Sequence, residues 1–261
     1  LAAQLAIDGI RRDLENLPAR SPEVALRSAI LEANRIIVLR RQNQAFAGMG
    51  TTIVAALFND LEVVIGHVGD SRAYLVREGA IQQLTTDHTY VQQLVESGEI
   101  QADEALSHPQ AHILTRCIGA EPGLEIDLDK YWIWQVADGE PADFLMLCSD
   151  GLYSLISEGE IANIMEQNSP QRACVKLVEL AKERGGFDNI TIAIIPLGGQ
   201  LRKEPPIGYE KRREKIPTST MLSKKVKEDE PSFIRVFGIV FVLSALAALL
   251  TILAMAFMIT Q

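Results

Sequence analysis

"TTIVAALFNDLEVVIGHVGDSRAYLVREGA", residues 51–80, is the stretch on which the fold turns. It contains three apolar strand patterns, Thr51–Phe58, Glu62–Val68 and Arg72–Val76, with only short breaks between them. Asn59-Asp60 reads as the first turn, and "REGA" at 77–80 reads as a turn closing the run. Strands joined so tightly must be antiparallel, because a parallel neighbour needs a crossover of a dozen or more residues. The stretch predicts a meander of hairpins.

Helical spacing lies on both sides of it. "PEVALRSAILEANRIIVLRRQ", residues 22–42, repeats apolar residues at three and four, with Ser21 as N-cap and Pro22 at N1. Residues 88–117 return to helical spacing around a polar stretch and predict a helical flap inserted between strands. Strands follow near Leu124–Gln135 and Phe144–Cys148, helices at about 158–168 and 170–184, and a last strand at Ile190–Pro196. Helices that bracket hairpin-linked strands favour an α+β layered domain over a parallel βαβ sheet. That domain covers 1–198, and the Lys-, Glu-, Pro- and Ser-rich residues 199–235 predict a charged linker.

Charge divides the chain in the same place. Residues 1–200 carry a net −13, and residues 201–235 a net +4. An acidic main domain excludes the basic face that nucleic acid requires. Cys117, Cys148 and Cys174 have no CxxC spacing and read as buried thiols of a reducing compartment. Residues 236–260 contain no charge, and about 20 such residues span a bilayer as a helix. This predicts one C-terminal transmembrane helix in a cell membrane. The basic residues ahead of it place 1–235 in the cytoplasm by the positive-inside rule.

Three places share one chemical design, an aspartate beside Gly or Asn at the edge of an apolar β-run. They are Asp70 in "VVIGHVGDSR", Asp150 in "FLMLCSDG" and Asp188 in "GGFDNITIAII". Carboxylates at strand ends can meet although far apart in sequence, and small neighbours let oxygen ligands approach the backbone. Clustered Asp with no His or Cys at ligand spacing selects hard cations such as Mg²⁺ or Mn²⁺. Each aspartate taken alone is equally a turn former or helix cap.

"GMGTT" (48–52), "HVGDSRAYLVREG" (67–79), "LTTDHT" (84–89), "CSDGL" (148–152) and "DNIT" (188–191) stand in the order and approximate spacing of the metal-dependent protein phosphatases of type 2C. The chain resembles that family over roughly 1–198, and the bacterial membrane-anchored members most. The resemblance implies a four-layer α-β-β-α sandwich of two antiparallel sheets flanked by helices. It also implies hydrolysis of phosphoserine and phosphothreonine in proteins by metal-activated water, opposing a Ser/Thr protein kinase acting on the same substrates. Carried across by motif, Asp150 and Asp188 would ligate two core ions, and Asp70 a possible third. The family begins with an Arg and an Asp-Gly loop that bridges the metals. On this reading the chain is a fragment starting after that loop, and is expected to be inactive as given. The alternative is a catalytically inactive phosphatase-like module that binds a phosphoprotein or kinase at the membrane.

Weaker candidates border these motifs. Asp87 and His88 read as caps of the flap helix that border the cleft, and His108 and His112, four apart, could meet a substrate phosphate. Arg72 is either a phosphate or acid partner or a sheet-edge ion pair. Gly48 and Gly50 lack the spacing of a phosphate loop and read as a turn leading into a strand. Cys148 has Ser154 where a cysteine phosphatase wants Arg, and reads as packing.

Overall fold

The computed structural model describes residues 1–15, 21–59, 61–138, 140, 142–186, 188–206 and 239–242. In chain order the elements are α1 (Ala2–Glu15), α2 (Pro22–Arg41), β1 (Ile53–Asn59), β2 (Glu62–Val68), β3 (Arg72–Arg77) and β4 (Ala80–Gln83). Then come α3 (Tyr90–Glu96), β5 (Asp127–Trp134), β6 (Phe144–Cys148), α4 (Asp150–Tyr153), α5 (Glu158–Gln167), α6 (Pro170–Glu183), β7 (Ile192–Pro196), β8 (Gln200–Arg202) and β9 (Ile239–Val242). Two antiparallel sheets result, ordered β8-β5-β2-β1-β9 and β4-β3-β6-β7.

Period-2 burial builds the layers. Along β1, Ile53, Ala55 and Leu57 face Leu26, Ile30 and Ile37 of α2. The alternate residues Val54, Ala56 and Phe58 face Ala73, Leu145 and Leu147 of the other sheet. Along β6, Met146 and Cys148 turn outward to Leu152, Ile161 and Leu177 of α4, α5 and α6. Both faces of each sheet are therefore covered, and the order is helix, sheet, sheet, helix. A strand buried on both faces reads as a continuous apolar run, as β1 and β6 do.

Local signals hold at the helix starts. Ser21 Oγ accepts from Val24 N–H at 3.5 Å ahead of Pro22, and Ser157 and Glu160 complete a capping box on α5. The flap segment is less helical than its spacing predicts. Among its described residues only α3 and a single 3₁₀ turn at Ala105–Ser107 are helical. Gly98, at φ +76°, follows the end of α3, and the polar residues beyond it make turns.

The chain departs from expectation at two further places. The predicted linker opens with β8, which pairs with β5, because the backbone groups of β5 need partners on that edge. Within the expected transmembrane helix, residues 239–242 are extended and pair with β1 as β9. The apolar run supplies hydrogen bonds to the edge of a buried strand, which local hydropathy does not anticipate. The remainder of 236–260, and residues 207–235 of the linker, lie outside the described residues. No described helix is long and apolar enough to cross a membrane.

Candidate metal centre at one end of the second sheet

Antiparallel register explains why the three aspartates emerge at one end of the sheet. Arg72, the first residue of β3, pairs with Cys148 at the end of β6, and Cys148 pairs with Ile192 at the start of β7. Asp70 precedes β3, Asp150 follows β6 and Asp188 precedes β7, so all three leave the sheet at the same end. The charge of Asp150 acts on Asp70, and that of Asp188 acts on Asp150. Asp70 is 5% exposed, and burial, then the charges of Asp150 and Asp87, push its carboxyl up to about 7. Burial and then Asp188 also raise Asp150, partly offset by the Gly151 N–H and by His112.

Backbone contacts lock the two C-terminal loops together. Ser149 Oγ donates to the Asn189 carbonyl at 2.9 Å and accepts from Thr191 N–H at 3.0 Å. A Cβ on Gly151 would lie 2.6 Å from the same Asn189 carbonyl oxygen, so only glycine lets the loops approach. Asp150 Oδ1 accepts from Gly151 N–H at 3.0 Å, and Asp188 Oδ1 accepts from Asn189 N–H at 2.6 Å. The Asp70 loop is held from the other side, where Tyr153 Oη donates to the Asp70 carbonyl at 2.9 Å.

Asp70 Oδ1 is buried and has no hydrogen-bond partner among the described residues. Leaving such an oxygen bare is costly, and the costs rise with two more carboxylates nearby. A half-buried guanidinium close by is committed elsewhere. Arg72 makes a bidentate ion pair with Asp87, with Nε to Oδ1 at 2.9 Å and Nη2 to Oδ2 at 2.7 Å, and lies 3.7 Å over the Tyr153 ring. An all-oxygen, mutually repelling donor set of this kind fits a hard divalent cation.

The other sequence candidates separate. Asp87 serves Arg72 and also accepts from Gln83. It does not cap the flap helix, and neither does His88. Thr89 Oγ1 caps α3, accepting from Gln92 N–H at 3.2 Å, because the residue immediately before the helix has that reach. His112 is exposed, yet near enough to Asp150 to act on its carboxyl. His108 accepts from Gln110 N–H inside its own turn. Cys148 is fully buried, and burial holds its thiol far above its ordinary range.

Sequence reasoning missed a second group. His67, His88 and Asp127 bring ligand atoms within 4.8 Å of one another. The two rings stack with centroids 4.5 Å apart. Three of their four ring nitrogens already have partners. His67 Nε2 meets the Thr86 carbonyl at 2.8 Å, His88 Nδ1 accepts from Gly69 N–H at 3.1 Å, and His88 Nε2 meets Asp127 Oδ2 at 3.2 Å. An amide N–H can only donate, so His88 Nδ1 carries the lone pair and the ring proton sits on Nε2. A cation at Nε2 would need that proton moved onto Nδ1, against Gly69 N–H. Burial and then His67 lower the His88 pKa, in keeping with a neutral ring.

The family profile described as Protein phosphatase 2C matches residues 3–97. Serine/threonine phosphatase stp of Listeria monocytogenes serovar 1/2a is 37% identical over 198 residues, covering 75% of this chain and 76% of that protein. Among solved structures, the serine/threonine phosphatase PstP/Ppp of Mycobacterium tuberculosis matches with a TM-score of 0.67 and 33% identity, over 75% of this chain and 81% of that one. A PstP catalytic domain in complex with two manganese ions matches with a TM-score of 0.65 and 30% identity, over 74% and 79%. With sequence and sandwich agreeing over three quarters of its length, the chain belongs to the protein phosphatase 2C family.

Proposed function

We propose that the chain is a metal-dependent protein serine/threonine phosphatase, with Asp70, Asp150 and Asp188 holding Mg²⁺ or Mn²⁺. The observation that carries this reading is the buried, partnerless Asp70 Oδ1 at the sheet end where Asp150 and Asp188 also emerge. Family membership and the manganese-loaded relative support it, and neither supports the inactivity expected of a chain without the Arg and Asp-Gly motifs. When bound, such ions lower the pKa of water from ~16 toward ~7 and stabilise charge on a phosphoryl group. The chain's own part is positional: Ser149 and Gly151 set the Asp150 and Asp188 loops at contact, and Tyr153 holds the Asp70 backbone. Water attacks phosphorus, the bond to the Ser or Thr oxygen breaks, that oxygen takes up a proton from the water, and inorganic phosphate is released. The buried Cys148 thiol offers no competing nucleophile.

The decisive experiment is Mn²⁺-dependent hydrolysis of p-nitrophenyl phosphate and of a phosphothreonine peptide. Removing residues that merely support a metal ligand costs ~10–100-fold, so Asp150→Ala or Asp188→Ala should cost at least ~100-fold. Retained activity in either variant, or activity indifferent to EDTA, would overturn the assignment.

The same reading makes the substrates phosphoproteins of a Ser/Thr kinase. It tethers residues 1–235 to the cytoplasmic face of a membrane through 236–260. Support comes from the uncharged run and the basic segment ahead of it. Entry into a bilayer would draw the residues of β9 off the sheet edge. Release of the full chain from membranes by an alkaline carbonate wash would overturn the tether.

A further inference from the structure

We propose that His88 and Asp127 are positioning residues that hold the Gly69-Asp70 corner in its metal-binding shape. The proposal rests on the metal reading above. Gly69 and His88 exchange two hydrogen bonds: Gly69 N–H donates to His88 Nδ1 at 3.1 Å, and His88 N–H donates to the Gly69 carbonyl at 2.9 Å. Gly69 lies at φ +107°, and a Cβ there would meet Thr52 Cγ2 at 2.3 Å, so the backbone takes a conformation that only glycine tolerates. Glycine reaches this region without strain but is equally free to leave it, so the contacts around the corner select the conformation. The next residue carries the partnerless Asp70 oxygen.

Beyond the corner the chain of contacts continues. His88 Nε2–H donates to Asp127 Oδ2 at 3.2 Å, and Arg116 Nη1 donates to Asp127 Oδ1 at 2.8 Å. This fixes the tautomer. Without Asp127 the ring can place its proton on Nδ1, where it would confront Gly69 N–H, donor against donor. Carboxylate–histidine pairs orient metal ligands in the same way when the histidine binds the ion itself. In this chain the imidazole acts on a backbone amide, one residue away from the ligand. The flap segment, which supplies His88 and Arg116, is thereby connected to the metal centre.

The test is Mn²⁺ binding to the full chain, followed by the electron paramagnetic resonance of free Mn²⁺, with no phosphatase assay involved. His88→Asn puts an acceptor oxygen where Nδ1 stands but does not reach Asp127. His88→Gln puts its amide near Nε2 and leaves Gly69 N–H bare. His88→Phe removes both. Phe and Gln are expected to raise the Mn²⁺ dissociation constant ~10–100-fold, with Asn within about threefold of wild type. Asp127→Ala should fall between. If the Phe variant does not fold, the order of Gln and Asn decides. Wild-type binding in the Gln variant, or equal loss in Asn and Gln, overturns this proposal alone. A wild-type chain that binds no Mn²⁺ overturns the metal reading and this proposal with it.

Discussion

Stripped of divalent metal, the protein is expected to lose stability as the pH rises from about 4 to about 7, and to regain it when Mn²⁺ is added at the upper end. Asp70 is the reason. Its carboxyl sits at about 7 in the fold, pushed there by burial and by Asp150 and Asp87, against about 3.9 in an unfolded chain. A raised folded pKa means that the native state binds the proton more tightly. Its contribution is complete below the unfolded value and is lost as pH climbs through the folded one. Three units at about 1.4 kcal/mol each give roughly 4 kcal/mol, and the near-complete burial of Asp70 leaves little solvent to screen it. Asp150 shifts in the same direction. In the proposed site metal competes with protons for these oxygens, so Mn²⁺ should stabilise strongly near pH 7.5 and weakly near pH 4.5. Thermal melts in EDTA and in Mn²⁺ across that range would show a shift on the order of 10 °C. A melting temperature flat with pH in EDTA would remove Asp70 as the source. Equal stabilisation by Mn²⁺ at both pH values would do the same.

Asp143→Ala is expected to remove a large part of the protein's stability without touching the candidate metal centre. Asp143 is 1% exposed and immediately precedes β6, at the opposite end of that strand from Asp150. Its carboxylate accepts from Arg77 Nε at 2.6 Å and Nη2 at 2.7 Å, and from the buried N–H of Leu201 at 2.6 Å. Arg77 ends β3 in one sheet and Leu201 lies in β8 of the other, so one side chain joins the two layers. Alanine leaves the Leu201 amide without its partner and the guanidinium without its counter-ion. Breaking a buried pair from one side costs ~3–5 kcal/mol. The lower half of that range applies, since the Arg77 side chain is 33% exposed and can turn to water. Urea denaturation measures the loss directly. Asp143→Asn keeps an acceptor for Leu201 and should lose less than half as much. A loss under about 1 kcal/mol for the alanine variant would show that the two sheets do not depend on this contact. Mn²⁺ affinity of the folded fraction should be unchanged.

Much of the site was legible because its signals are local. An apolar run ending in Asp beside Gly names a strand end and a carboxylate in a few consecutive residues, as in "CSDGL". Ser21-Pro22 marks the start of α2 in the same way. Partners across space leave no such mark. Nothing adjacent to Asp127 distinguishes it from Asp129, yet one holds His88 and the other pairs with Lys203 at the surface. Asp87 looked like a helix cap because it nearly precedes a helix, and Arg72, fifteen residues away, claims it. The apolar segment at 236–260 read as a membrane span by length alone, and four of its residues lie on the edge of β1.

By itself, then, the sequence determined which residues alternate, where the hairpins turn and which three aspartates stand at strand ends. These follow from neighbours within a few positions, where backbone periodicity and turn chemistry act. The tertiary structure decided which charges those residues meet. Gly69 with His88, and Asp143 with Leu201, are 19 and 58 residues apart. Only antiparallel register and the stacking of the two sheets bring them within hydrogen-bonding distance, and burial then gives each contact its strength.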